Sequence, residues 1–184
     1  MGFIMIEEIA WWPAYYGDLK VQVLAPKHYI PFRKGVDGYS ANIVYSKKQD
    51  KSDYFLGEAL EVFSHLPFKP DLIVIIPSSK PRKYSVTMLR LGKKISKKLG
   101  IKNKNIIKRV KTTRRQTDCG NSDERYSAVN GVFKVTEHLD RERIVIMDDT
   151  RTSGMTILEC AKVLIKAGAS EIAAICLGIT GEKT

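Results

Sequence analysis

Three apolar runs stand out along the C-terminal two thirds of the chain: Leu72-Ile73-Val74-Ile75-Ile76, Ile144-Val145-Ile146-Met147, and the stretch from Glu171 to Ile179. Between them, apolar positions recur at helical spacing. Met88, Leu91, Ile95 and Leu99 form one stripe, and Leu158, Ala161, Leu164 and Ile165 form another. Gly100 and Gly168 stand where a helix end wants a residue free to turn left-handed. Unbroken apolar runs are strands buried on both faces, whereas stripes are helices that cover them. Their alternation predicts an α/β fold: a doubly wound, mainly parallel sheet flanked by helices. Shorter strands are expected at Asn105 to Val110 and at Gly131 to Val135.

Residues 1–65 are less regular. They hold the aromatic run Trp11-Trp12-Pro13-Ala14-Tyr15-Tyr16, a short strand at Val21 to Leu24, a turn near Gly35 to Gly38, and a helix from about Tyr54 to His65. This part is expected to form a small N-terminal hood over a core of residues 66–184. No repeat or linker divides the chain, so 1–184 reads as one domain. The aromatic run suits either hood packing or a lid over a flat ligand.

Composition narrows the picture only slightly. The 184 residues are 43% hydrophobic, enough for a packed core. No apolar stretch reaches membrane-spanning length, and Glu7-Glu8 interrupt the first residues, which lack a basic leader; a cytoplasmic protein without membrane contact is expected. Cys119, Cys160 and Cys176 lack the spacing of a zinc site or a disulfide framework and read as ordinary thiols, two of them buried. The net charge of +11 favours anionic partners, nucleic acid among them. Part of it, Lys93, Lys94, Lys97 and Lys98, sits on the polar face of a helix, where a solvated surface is the better explanation. The run Lys108-Arg109-Val110-Lys111-Thr112-Thr113-Arg114-Arg115 has neither helical nor strand periodicity and leads into a loop-forming stretch.

The chemistry concentrates where the second apolar run ends. Asp148 and Asp149 follow it directly, then Thr150-Arg151-Thr152-Ser153-Gly154-Met155-Thr156 opens the next helix. A strand of this kind delivers its last residues to the carboxyl edge of a sheet, where ligands of open α/β folds bind. The turn presents backbone N–H groups and hydroxyls at the positive end of a helix, a cradle for phosphate. The aspartates can accept from sugar hydroxyls or hold a cation through water. No Gly-x-x-x-x-Gly-Lys-Ser/Thr loop and no Gly-x-Gly-x-x-Gly turn is present, which argues against a nucleoside triphosphatase or a dinucleotide site.

The acidic pair followed by Thr152-Ser153-Gly154 and Thr156 resembles the phosphoribosyl-pyrophosphate (PRPP) signature of type I phosphoribosyltransferases. The resemblance implies that fold, with Asp148 and Asp149 on the ribose and on Mg²⁺, and Thr150, Arg151, Thr152, Ser153, Gly154, Met155 and Thr156 around the 5′-phosphate. It further implies a pyrophosphate loop at Pro77-Ser78-Ser79-Lys80-Pro81-Arg82, with Ser78, Ser79, Lys80 and Arg82 as ligands. It also implies a mobile loop from Lys108 to Arg125 that brings Arg109 to the pyrophosphate and Lys111 and Arg115 to the reacting centre. Within the superfamily, Arg109, Lys111, Thr113 and Gln116, with Arg125 and Asn130-Gly131-Val132-Phe133, resemble the ComF-type (competence-associated) family. Ala128 and Lys83-Tyr84-Ser85-Val86-Thr87 depart from that family's pattern, and its zinc-binding N-terminal cysteines are absent.

The expected activity is transfer of 5-phosphoribosyl from PRPP to a nitrogenous acceptor, a nucleobase or an amine, with release of pyrophosphate. Thr152 stands where enzymes that salvage hypoxanthine and guanine carry an aspartate, which disfavours a 6-oxopurine acceptor. The alternative is a PRPP- or nucleotide-sensing, nucleic-acid-associated regulator that keeps the pocket without turnover. Superfamily resemblance also implies a homodimer.

Overall fold

The computed structural model describes residues 10–16, 19–30, 34–35, 37–78, 83–111 and 130–180, with the backbone alone at 10–16. Strands β1 (Ala10–Tyr16), β2 (Leu19–Ala25) and β3 (Lys27–His28) come first, followed by helices α1 (Gly38–Tyr45) and α2 (Ser52–Ser64). Then come β4 (Leu72–Ile75), α3 (Val86–Leu99), β5 (Lys102–Asn103), β6 (Ile107–Arg109), β7 (Phe133–Val135), β8 (Arg143–Arg151), α4 (Met155–Lys166) and β9 (Glu171–Ile179).

The three apolar runs become β4, β8 and β9, and they lie side by side. The main sheet has the order β1-β2-β9-β8-β4-β5, with β3 also on β9. Every pairing in it is parallel except β1 with β2. Alternate side chains enter two cores. Val74, Ile144, Ile146, Ala174 and Cys176 pack under α4 and the separate two-stranded sheet β6–β7. Ile73, Ile75, Val145, Met147 and Ile175 pack under α1, α2 and α3. The fold is therefore the expected mainly parallel sheet with helices on both faces.

Residues expected as a hood enter this same sheet. β2 pairs with β9 from Gln22 to Leu24, and Tyr39, Ile43, Phe55 and Val62 of α1 and α2 belong to the core on that face. Helix α1 carries little sequence pattern because its stability is local at one end and tertiary at the other. Asp37 caps it by accepting from the Ser40 N–H at 2.6 Å, and the Tyr39 hydroxyl donates to Leu177 O at 2.8 Å. Strand β1 takes in the whole aromatic run, antiparallel to β2. The lid reading of Trp11, Trp12, Tyr15 and Tyr16 concerns side chains that lie outside the described set.

In helix α3, Met88, Leu91 and Ile95 of the stripe are buried but Leu99, in the last turn, is exposed; Ser85 caps its start, and Gly100 ends it at φ +69°. In α4, Leu158, Ala161 and Leu164 are buried, but Ile165 is 47% exposed. The N-terminal half of α4 is enclosed on several sides, so Ile157, Glu159 and Cys160 are buried there instead. Gly168, at φ +114°, lets the chain turn under Leu139, whose carbonyl oxygen would lie 2.2 Å from a Cβ at that position. Among the described residues no helix is long and apolar enough to cross a membrane.

Candidate functional site

The chain leaves β4 through α3 on one face of the sheet and β8 through α4 on the other. β5 and β9 then extend the sheet in opposite directions. A crevice therefore opens between the carboxyl ends of β4 and β8, the place where open α/β sheets bind ligands. The two ends are in register: Ile75 pairs with Met147, and the Ile76 N–H donates to Met147 O at 3.0 Å. Pro77 and Ser78 thus emerge beside Asp148 and Asp149.

Strand alternation sends the two carboxylates to opposite faces. Asp149 meets the end of α1, where Lys47 Nζ lies 3.4 Å from its Oδ2, and Thr150 Oγ1 donates to its Oδ1 at 3.1 Å. Asp148 lies toward α4 and β6, within electrostatic reach of Arg109 and Cys160, and pairs across the sheet with Cys176. Burial and then the Asp149 charge push the Asp148 carboxyl well above the usual carboxylate range. The Asp149 N–H, which donates to Asp148 Oδ1 at 2.8 Å, opposes that shift together with Lys47 and Arg109. The Cys160 and Cys176 thiols beside it are buried and pushed up as well, chiefly by burial, so both are neutral.

The strand runs further than its apolar residues suggest. Thr150 and Arg151 still pair with Gly178 and Ile179, so the turn proper is Thr152-Ser153-Gly154. Arg151 is 8% exposed and sits on the strand rather than in the turn; burial lowers its guanidinium from its ordinary value. Thr152 is exposed and Ser153 and Thr156 half-buried, while Gly154 precedes the first turn of α4 at φ +80°. A Cβ is disfavoured at that angle. Met155 is buried, so its backbone N–H is what it can offer. The first N–H groups of α4 consequently face the crevice with the positive end of the helix dipole.

Ser78 closes its own loop: its N–H and hydroxyl both donate to Lys83 O, at 2.8 and 3.0 Å. Ser79, Lys80, Arg82 and Arg115 lie outside the described residues, as do Thr113, Gln116, Cys119, Arg125 and Ala128. Lys111 is exposed at the end of the segment that follows β6. Arg109 is 8% exposed on β6, with its guanidinium 4.7 Å from the centre of the Phe133 ring. Burial lowers its pKa, and Cys160 and Asp148 oppose the shift. The structure thus brings together Asp148, Asp149, Ser78, Arg109 and the turn before α4.

Three further residues bear on the site. Lys47 comes from the polar run Ser46 to Lys51, which carries no periodic signal. That turn is held by Thr87, a fully buried residue of α3 whose Oγ1 accepts the Lys51 N–H at 3.0 Å and lies 3.1 and 3.0 Å from the Ser46 and Gln49 carbonyl oxygens. Glu159, 2% exposed on α4, accepts the Gly131 N–H at 2.8 Å and Lys162 at 3.5 Å. Lys162 in turn donates to Asn130 at 3.2 Å, so the helix behind the turn is tied to the start of the 130–135 segment. A glutamate set between Leu158 and Cys160 in an apolar stripe is the sequence signal for this tie.

The pair has the donor chemistry of a Mg²⁺ site. Mg²⁺ prefers one or two carboxylates with the rest of its shell from water and substrate phosphate. Among the described residues no cluster of three or more His, Cys, Asp or Glu forms a protein-only cage.

The chain matches no protein-family model and no curated protein sequence. Similar solved structures include an allosteric regulatory enzyme of purine biosynthesis, with 17% identity over 78% of this chain and a TM-score of 0.43. Others are a purine phosphoribosyltransferase from Pyrococcus horikoshii, with 20% identity over 83% and a TM-score of 0.39, and a glutamine PRPP amidotransferase from B. subtilis complexed with ADP and GMP, with 16% over 78% and 0.44. The chain spans 27% of the length of the first and third and 77% of the second.

Proposed function

We propose that the protein binds PRPP between β4 and β8 and transfers its 5-phosphoribosyl group to a nitrogenous acceptor. The observation that carries this reading is the convergence of the Asp148–Asp149 pair and the turn before α4 at one crevice. The 5′-phosphate takes the N–H groups of Thr152 to Thr156 and the hydroxyls of that turn. Asp148 and Asp149 accept from the ribose hydroxyls and would hold Mg²⁺. When bound, Mg²⁺ supplies positive charge to the pyrophosphate oxygens.

Arg109, with Lys111 and Ser78, faces the pyrophosphate side, where negative charge grows as the bond breaks. The anomeric C–O bond breaks with its electron pair on pyrophosphate, and the acceptor nitrogen's lone pair forms the new C–N bond. A proton on that nitrogen is lost to solvent or to a carboxylate. Lys47 offsets the Asp149 charge from the α1 side. A single domain of residues 1–184 acting as a homodimer completes the proposal.

Titration calorimetry with PRPP and Mg²⁺ tests the binding, and pyrophosphate release against a panel of nucleobases, amines and ammonia tests the transfer. Asp148→Asn with Asp149→Asn is expected to lower PRPP affinity at least tenfold. Wild type that fails to bind PRPP, or a double variant that binds it equally well, refutes the reading. A sensing role without turnover draws support from the exposed Lys93, Lys97 and Lys98 on α3, remote from the crevice. It would show as salt-dependent nucleic-acid binding that responds to PRPP with no pyrophosphate released.

A further inference from the structure

Beside the crevice, a cavity of about 710 Å³ opens between the exit of β4 and the β6–β7 hairpin. Pro77, Tyr84, Lys108, Arg109, Val110, Lys134 and Thr136 line it. The lining has two characters. Pro77, Tyr84 and Val110 offer flat, apolar surface, and Tyr84 is held rigidly because its hydroxyl donates to Ile107 O at 2.6 Å. Lys108 and Lys134 offer two cations, Arg109 forms part of the wall, and none of the seven described lining residues is acidic.

Folding gives no reason for the two lysines. Lys108 and Lys134 are direct cross-strand partners on a hairpin with three paired positions, and both are exposed. Like charges directly opposite weaken a sheet, and a short two-stranded hairpin has little stability to lose. The hairpin holds because Ile107 and Phe133 are buried on its other side. Arg109 is set into the wall, stacked on Phe133 and within electrostatic reach of Asp148, so one guanidinium borders both the cavity and the acidic pair. A ligand with negative charge relieves the Lys108–Lys134 repulsion, and a flat one uses Tyr84, Pro77 and Val110.

We propose that this cavity receives the acceptor, and that the acceptor is a planar heteroaromatic ring carrying its own negative charge, as a carboxylate or a phosphate. The assignment as acceptor rests on the proposed transferase reading; the affinity for an anionic ring does not. The test compares nicotinate with nicotinamide, and pyridoxine 5′-phosphate with pyridoxine, by ligand-observed NMR titration. Each pair keeps the ring and removes the charge, and the two pairs separate carboxylate from phosphate. In wild type, one charged probe is expected to bind at least tenfold more tightly than its neutral partner. Lys108→Ala with Lys134→Ala, both at exposed positions, should abolish that preference while leaving the PRPP dissociation constant within twofold.

Equal binding of charged and neutral partners, no binding of any probe, or a preference that survives in the double variant overturns the proposal. Should a charged probe bind as expected while wild type ignores PRPP, the cavity stands and the transferase reading falls. Loss of PRPP binding in the Lys108→Ala, Lys134→Ala variant would instead make the lysines part of the PRPP site and overturn a separate acceptor cavity.

Discussion

Thr87→Val separates the architecture of the site from its chemistry. Valine matches threonine in shape, so the fully buried pocket on α3 stays filled, but the hydroxyl is gone. The Lys51 N–H then loses its acceptor at 3.0 Å, and the Ser46 and Gln49 carbonyls lose the donor they share. An unsatisfied buried polar group costs about 1–3 kcal/mol. The Lys51 N–H is half-buried and Gln49 is exposed, so water recovers part of the loss and about 2 kcal/mol is expected. Thr87→Ser keeps the hydroxyl, removes one methyl, and should cost only about 1 kcal/mol.

The same change frees the Ser46–Lys51 turn that presents Lys47 to Asp149, so PRPP affinity should fall in Thr87→Val more than in Thr87→Ser. Urea unfolding gives the stabilities through the midpoint at constant slope, and calorimetry gives the affinities. If Thr87→Val lies within 0.5 kcal/mol of wild type on that scale of about 1–3 kcal/mol per lost partner, or if the serine variant is as damaged as the valine, the hydroxyl is not what holds the turn.

Lys47→Met removes a unit positive charge 3.4 Å from Asp149; screened by solvent this is worth ~1 kcal/mol, so Mg²⁺ affinity measured without PRPP should rise about fivefold, and unchanged or weaker binding would contradict the pairing. Gly168→Ala places a Cβ 2.2 Å from Leu139 O at φ +114°, so a loss of at least ~2 kcal/mol is expected in thermal or urea unfolding, and a neutral result would show that the Leu139 segment yields freely. Arg143 clasps Asp71 through Nε at 3.0 Å and Nη2 at 3.1 Å, holding its carboxyl down to about 2, chiefly by the side-chain hydrogen bonds. The unfolded chain therefore binds more protons there between about pH 4 and pH 2, and stability falls as pH drops through that window. Asp71→Asn should flatten the fall of melting temperature between pH 5 and pH 3; a slope equal to wild type would mean the pair contributes nothing to acid sensitivity.

Much of the sheet was legible because β4, β8 and β9 are buried on both faces, which forces continuous apolar runs that no helix stripe imitates. Helices α3 and α4 were legible through their stripes, and α3 through Gly100. By contrast, α1 is eight residues long and owes its place to Asp37 and to the reach of Tyr39 across to β9, a contact 138 residues away in the chain. Strands β3 and β5 are two residues each, too short to carry any period, and exist because β9 and β4 offer edges to pair with.

In the site, the sequence by itself determined the local machinery: an apolar run that leads into two aspartates, a turn whose positive φ at Gly154 favours glycine, and a helix whose first N–H groups meet what lies beyond. These are consequences of neighbouring residues, so they survive in one dimension. Tertiary structure alone decided which cations meet the aspartates, since Lys47 and Arg109 arrive from the two faces of the sheet, about 100 residues and 40 residues away along the chain. It also decided that the two carboxylates diverge, that Arg151 belongs to the strand, and that Lys108 and Lys134 stand opposite one another over a cavity. Charge interactions fall off with distance in space, not along the chain, and only the packed sheet sets those distances.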